Sequence, residues 1–192
     1  MKKKLLIITV ILVMFYPSLF SESSEASAKK ITMTEMKTLS KKGKLPNSNG
    51  KIGMTFKKLK KQNPEGTINE ISPLISYQAS DFLYPTVYYL NVDSISRLKG
   101  STKVVAIKKT YFTADFTILP TKKVMNKYFP KKEVVTEPGL LDGLPGSKRN
   151  IHETGKYYIT NKVYEVEFFP DVMILSVGTN KGIIASLYDL TY

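Results

Sequence analysis

One succession of segments occurs twice in this chain, and it constrains the fold more than composition does. A short lysine-rich stretch with apolar residues at helical spacing is stopped by a proline, and several short apolar runs follow. Lys57-Lys58-Leu59, ahead of Pro64, is matched by Lys122-Lys123-Val124, ahead of Pro130. Tyr88-Tyr89 is matched by Tyr157-Tyr158. Lys103-Val104-Val105-Ala106 resembles Lys181, Ile183, Ile184 and Ala185. The separation between partners widens from each match to the next, which is what small insertions in a second copy produce. The expected fold is α+β: two tandem units, each a short helical segment packed on a small antiparallel sheet.

Local signals place the elements. Thr32-x-x-Glu35 is a capping-box pattern, Met33, Met36 and Leu39 follow at helical spacing, and Gly43 suits a left-handed stop; together they predict a helix over 33–42. A second helix is expected from Thr55 to about Asn63, with Ile52, Phe56 and Leu59 as its buried stripe. A third is expected over 120–129, with Pro120 in its first turn and Val124, Met125, Tyr128 and Phe129 as its stripe. Strands are expected over 71–78, 86–93 and 103–113, the last with Val105, Ile107 and Tyr111 on one face. After a long loop, four more are expected over 156–160, 163–169, 172–177 and 183–190. They would be joined by Thr160-Asn161-Lys162, Pro170-Asp171 and Gly178–Gly182. Val172 to Leu175 is apolar on both faces and should be central. The organisation this gives is an N-terminal helix and linker over 29–50, a first unit over 51–117 and a second over 118–192.

Residues 1–28 read as a signal peptide. Lys2, Lys3 and Lys4 precede an apolar run from Leu5 to Phe20, and Ala26-Ser27-Ala28 is a small-x-small cleavage site before Lys29. The expectation is a secreted, extracellular protein that begins at Lys29, with retention at the cell wall as an extension. An uncleaved anchor is the competing reading of the same run. Membrane contact is otherwise expected only before cleavage.

Several chemistries are excluded. With no cysteine and a single histidine, the chain has no disulfide, no thiolate metal site, no cysteine nucleophile and no His-rich zinc site. It carries no Gly-x-Ser-x-Gly elbow, no phosphate loop and no His-Glu-x-x-His. Glu165 and Glu167 alternate with apolar Tyr164, Val166 and Phe168, the pattern of a solvated strand face. Adjacent His152 and Glu153 point opposite ways on an extended segment, and Asp142 with them makes no persuasive metal set. The expectation is no enzyme, no cofactor and no metal. The formal charge is +13, yet only Arg97 and Arg149 are arginines among 29 basic residues. Lysine supplies mobile point charges where sequence-reading nucleic-acid binders use arginine's fork, so no specific nucleic acid is expected.

Two features suit partner binding. The loop 136–155 holds Leu140, Leu141 and Leu144 together with Arg149 and His152, and long loops carry function. The pairs Tyr88-Tyr89 and Tyr157-Tyr158 put one rigid amphipathic ring on each face of a strand. These residues point to a non-enzymatic, inhibitor-like protein that binds an unknown protein through a sheet face and this loop. The alternatives are a basic protein held by anionic wall polymers and an unrecognised hydrolase.

Ile52-Gly53-Met54-Thr55, followed by Leu59 on a helix, resembles the opening of domains in β-lactamase inhibitory protein and the BamE-type outer-membrane lipoproteins. The whole chain after residue 28 is also similar to secreted proteins of Bacillus and relatives built with such domains. The second unit has Leu119-Pro120-Thr121 where the first has this signature. The resemblance implies a short helical segment before a small antiparallel sheet, two such domains in tandem, and a protein-binding habit without a target.

Overall fold

Each of the four α-helices found among the described residues begins on a threonine. The computed structural model describes residues 29–70, 73–79, 85–136, 148–164 and 171–188. Its helices are α1 (Met33–Lys41), α2 (Phe56–Gln62), α3 (Lys122–Tyr128) and α4 (Asn180–Tyr188). The hydroxyls of Thr32, Thr55, Thr121 and Thr179 accept from the amides of Glu35 (3.1 Å), Lys58 (3.4 Å), Val124 (3.4 Å) and Gly182 (3.2 Å). Each bond covers one amide that a helix start leaves without a partner. α1 closes on Gly43 at φ 66, where the amides of Gly43 and Lys44 reach back to the carbonyls of Ser40 and Leu39.

The strands are β1 (Thr67–Asn69), β2 (Ser76–Ala79), β3 (Thr86–Leu90), β4 (Val104–Phe112), β5 (Lys132–Thr136), β6 (Lys148–Glu153), β7 (Tyr158–Tyr164) and β8 (Val172–Gly178). All neighbours are antiparallel, in the order β1-β2-β3-β4-β8-β7-β6-β5. A helix followed by antiparallel strands is therefore present on both sides, but the strands make one continuous sheet. β4 and β8 meet at its centre, with Lys109 opposite Leu175, so the apolar run beginning at Val172 is central as its pattern requires.

The two faces of the sheet are covered differently. On one, Met33 and Met36 of α1, Phe56 and Leu59 of α2, and Met125 of α3 with Phe129 beside it pack against Tyr77, Tyr88, Ile107, Tyr111, Ile159, Met173 and Leu175. On the other, Ala185 of α4 packs with Leu74, Val87, Tyr89 and Ala106. A β-bulge decides which residues go where: between Tyr89 and Leu90 the register on β4 skips from Ala106 to Val104. The extra residue, Val105, turns towards the α4 side, where it packs on the smaller cluster. It was expected to share a face with Ile107 and Tyr111; the bulge separates it from them.

Other expectations are corrected. Of the strand expected over 71–78, the described part is strand only from Ser76, as β2, and β2 pairs with an unexpected short strand, β1. Thr160-Asn161-Lys162 is no turn: it runs inside β7, where Thr160 Oγ1 donates to the Asn150 carbonyl (2.9 Å) and Asn161 Nδ2 donates to the Pro120 carbonyl. Turn-type side chains are tolerated there because they bond to neighbouring backbone. Pro120 lies outside α3, since Thr121 caps it. The strand expected over 183–190 is instead the helix α4. The proposed match of Lys103–Ala106 to Lys181–Ala185 thus pairs a strand with a helix. Part of the expected long loop is the strand β6. The turn at Pro170, Glu165 and Glu167 lie outside the described residues.

Candidate functional site

The candidate partner-binding residues separate once the strands are in place. Tyr88 and Tyr89 are 1% and 0% exposed, one in each core. The sheet has helices on both faces of β3, so neither ring offers the adhesive surface expected of it. Tyr88 Oη instead accepts from the Gly50 amide at 3.1 Å, Tyr111 Oη donates to the Pro46 carbonyl at 2.7 Å, and Tyr77 Oη donates to the Asn63 carbonyl. Burial raises the pKa of all three phenols. They act as neutral struts that tie the 46–50 turn and the end of α2 to the sheet.

His152 is also buried. β6 carries it beneath the end of α3, where Nδ1 lies 2.8 Å from the Phe129 carbonyl and the ring is 6.2 Å from the Phe129 ring. A carbonyl can only accept, so Nδ1 carries the proton. Burial lowers the pKa of His152; the Phe129 carbonyl opposes this and Lys132 adds to it. Arg149 is half-buried and donates from Nη1 to the Asn161 carbonyl at 2.6 Å. Both residues were placed at a partner surface by the sequence; the fold uses them to join β6 to α3 and to β7.

Tyr157 and Tyr158 are half-buried. Tyr157 packs against the larger core, with the Lys156 ammonium 5.9 Å from its ring, and Tyr158 Oη donates to Glu133 at 3.4 Å. Leu140, Leu141 and Leu144, as well as Ala26 and Ala28, lie outside the described residues; Lys29 is exposed. Among the described residues no three of His, Cys, Asp and Glu are grouped to hold a metal ion, and no helix is long and apolar enough to cross a membrane.

What the fold does assemble is a cationic layer. α2 presents Lys57, Lys58, Lys60 and Lys61, and α3 presents Lys122, Lys123 and Lys127, all exposed. Neither helix has an acidic residue, and among the described residues none of the seven lysines forms an ion pair. Both helices bury their apolar stripes in the same core, so both lysine faces lie on one side of the sheet. α1 adds exposed Lys41 and Lys42 on that side. The lysine runs were visible in the sequence; that they share a side follows only from the sheet being continuous. No protein-family model, no curated protein and no solved structure matches the chain.

Proposed function

We propose that the protein is an exported, non-enzymatic module held on an anionic polymer by the lysine faces of α2 and α3. The observation that carries this reading is seven exposed lysines on one side of the sheet, on two helices that contain no carboxylate. Lysine suits the task, because a mobile ammonium follows a flexible chain of phosphates or carboxylates without needing a fixed geometry. A polymer laid across both helices would release counterions from every lysine it meets, so affinity would fall steeply with salt.

The experiment is binding of the purified protein to a phosphodiester-linked wall polymer across a potassium chloride series. Polyglutamate and a neutral glycan are the comparison polymers. Replacing the four α2 lysines or the three α3 lysines with glutamine should each weaken binding and flatten its dependence on salt. Salt-independent binding, or binding indifferent to both sets, would sink the reading.

The two-unit organisation is proposed on the same footing. The step along the chain from Thr55 to Thr121 equals the step from buried Leu59 to buried Met125. The β4–β8 register repeats that step: about its centre, Ala106 takes the place on β4 that Val172 takes on β8. A common offset in helix and final strand supports duplication of a helix–four-strand unit. The pairing makes Val163 rather than Tyr157 the counterpart of Tyr88, since Tyr88 faces Ile107 and Val163 faces Met173. The resemblance to the inhibitory-protein and BamE-type domains stays part of this proposal.

A further inference from the structure

The sheet ends on two edges of unequal character. β1 is three residues long, whereas β5 is five, and Val134 at its middle is 60% exposed. Its pairing with β6 runs without a shift from Lys132 opposite His152 to Thr136 opposite Lys148. The Glu153 amide donates to the Lys131 carbonyl at 2.9 Å, which fixes the direction of every backbone group along the strand. Residues 131, 133 and 135 face β6, so the N–H and C=O groups of Lys132, Val134 and Thr136 point away from the sheet. Among the described residues no strand lies beyond β5, and β5 has neither proline nor bulge, two of the devices that blunt an open edge.

Charge selects the occupant. Lys131, Lys132 and Lys148 are exposed beside the edge, and the one nearby acid on β5, Glu133, already accepts from Tyr158. A second copy of a chain with net charge +13 is repelled, while an extended acidic segment is attracted. We propose that β5 is a docking edge that takes an extended acidic segment of another protein as an added strand. Main-chain bonds to Lys132, Val134 and Thr136 would supply affinity, contact with Val134 would exclude water, and the lysines would set the preference for acid.

The test uses a fluorescein-labelled heptapeptide alternating glutamate with valine. Its controls are the same peptide with proline at the central valine and a lysine–valine counterpart. Anisotropy should show the acidic peptide binding and both controls weaker by about tenfold or more. In the bound state the amides of Lys132, Val134 and Thr136 should become protected from hydrogen exchange. Val134→Pro removes only an outward amide, so β5 stays paired with β6, and binding should fall by a similar factor with the melting curve retained. Lys131→Glu should weaken the acidic peptide with the melting curve retained, which keeps the test decisive if the proline variant is unstable. Glutamine at the α2 and α3 lysines should leave this binding in place, separating it from polymer retention. Equal binding of the acidic and proline peptides, no binding, or protection elsewhere would overturn the proposal. A concentration-dependent dimer abolished by Val134→Pro would overturn it in favour of a second copy.

Discussion

The Tyr88 ring occupies the space a side chain on Gly50 would need. The Gly50 amide donates to Tyr88 Oη at 3.1 Å, and a Cβ built on Gly50 would lie 2.3 Å from Tyr88 Cε1. Glycine is needed here for close approach. The pair ties the linker after α1 to β3, a strand far along the chain.

Tyr88→Phe keeps the ring and leaves the buried Gly50 amide without its acceptor, so it should cost about 1–3 kcal/mol. Gly50→Ala forces the ring to move and should cost a similar or larger amount, about 1–3 kcal/mol for overpacking. Urea denaturation of both variants checks the prediction. An unchanged midpoint for Gly50→Ala would mean that the turn moves away from β3 freely.

The helix caps give a second expectation. Thr55→Ala and Thr121→Ala each remove one side-chain bond to an amide, and at 3.4 Å both bonds are long. Each should therefore cost about 0.5–1 kcal/mol, the lower part of the range for caps. The double variant should show the sum, because the two threonines start different helices and share no partner. Thermal melts of the single and double variants measure this.

The caps also show where the sequence is legible. Thr32, Thr55 and the helical stripes behind them announce α1 and α2, and Gly43 announces the end of α1. The α4 segment resembles a strand locally because Ile183 and Ile184 are β-branched. Its helical signals are Thr179 as cap and the small residues Gly182, Ala185 and Ser186, which form the buried side together with Ile183. Small residues carry little hydrophobic periodicity, so only packing against the sheet reveals them. β5, the edge strand, and its neighbour β6 are hidden for another reason: both are polar, and Lys132-Glu133 or Lys148-Arg149-Asn150 resemble loop. The burial of His152 and Tyr88 depends on which helix covers which strand, a relation between residues far apart in the chain. The lysine side of α2 and α3 was legible as charge, and its common orientation was not.

His152 makes stability depend on pH. Its pKa in the fold lies below the ordinary value of 6.5, so the unfolded chain takes up the proton first on acidification. Stability is therefore complete above about pH 6.5 and is lost as the pH falls through that value towards the folded-state pKa. The groups facing the ring sharpen this: Lys132 repels the charged form, and the Phe129 carbonyl partly offsets it. The slope should stay below about 1.4 kcal/mol per pH unit, the limit for one proton. His152→Asn keeps a donor near the Phe129 carbonyl and has nothing to titrate, so its urea midpoint should vary less over the same interval. Equal slopes for the two proteins would exclude His152 as the source.

The last prediction joins the end of the β4–β8 ladder to the helix on the far side of the sheet. The Val105 carbonyl accepts from the Thr179 amide at 2.9 Å, which carries the β4–β8 register one pair beyond Ala106 and Gly178. Thr179 in turn caps α4, so the end of this ladder positions the first turn of that helix. Gly182 sits in this turn, and a Cβ there would lie 2.4 Å from the Val105 oxygen and 3.0 Å from Ala106 Cβ. Alanine normally favours a helix interior over glycine by about 1 kcal/mol. At position 182 the sign should reverse, because the contact is with backbone and no flexible side chain can yield. Gly182→Ala should destabilise by about 1–3 kcal/mol and loosen α4 from the sheet, exposing Tyr89 and Val87. Hydrogen exchange in α4 and a denaturation curve test this together. A gain in stability would mean that α4 stands further from β4 than its cap and the Val105 carbonyl place it.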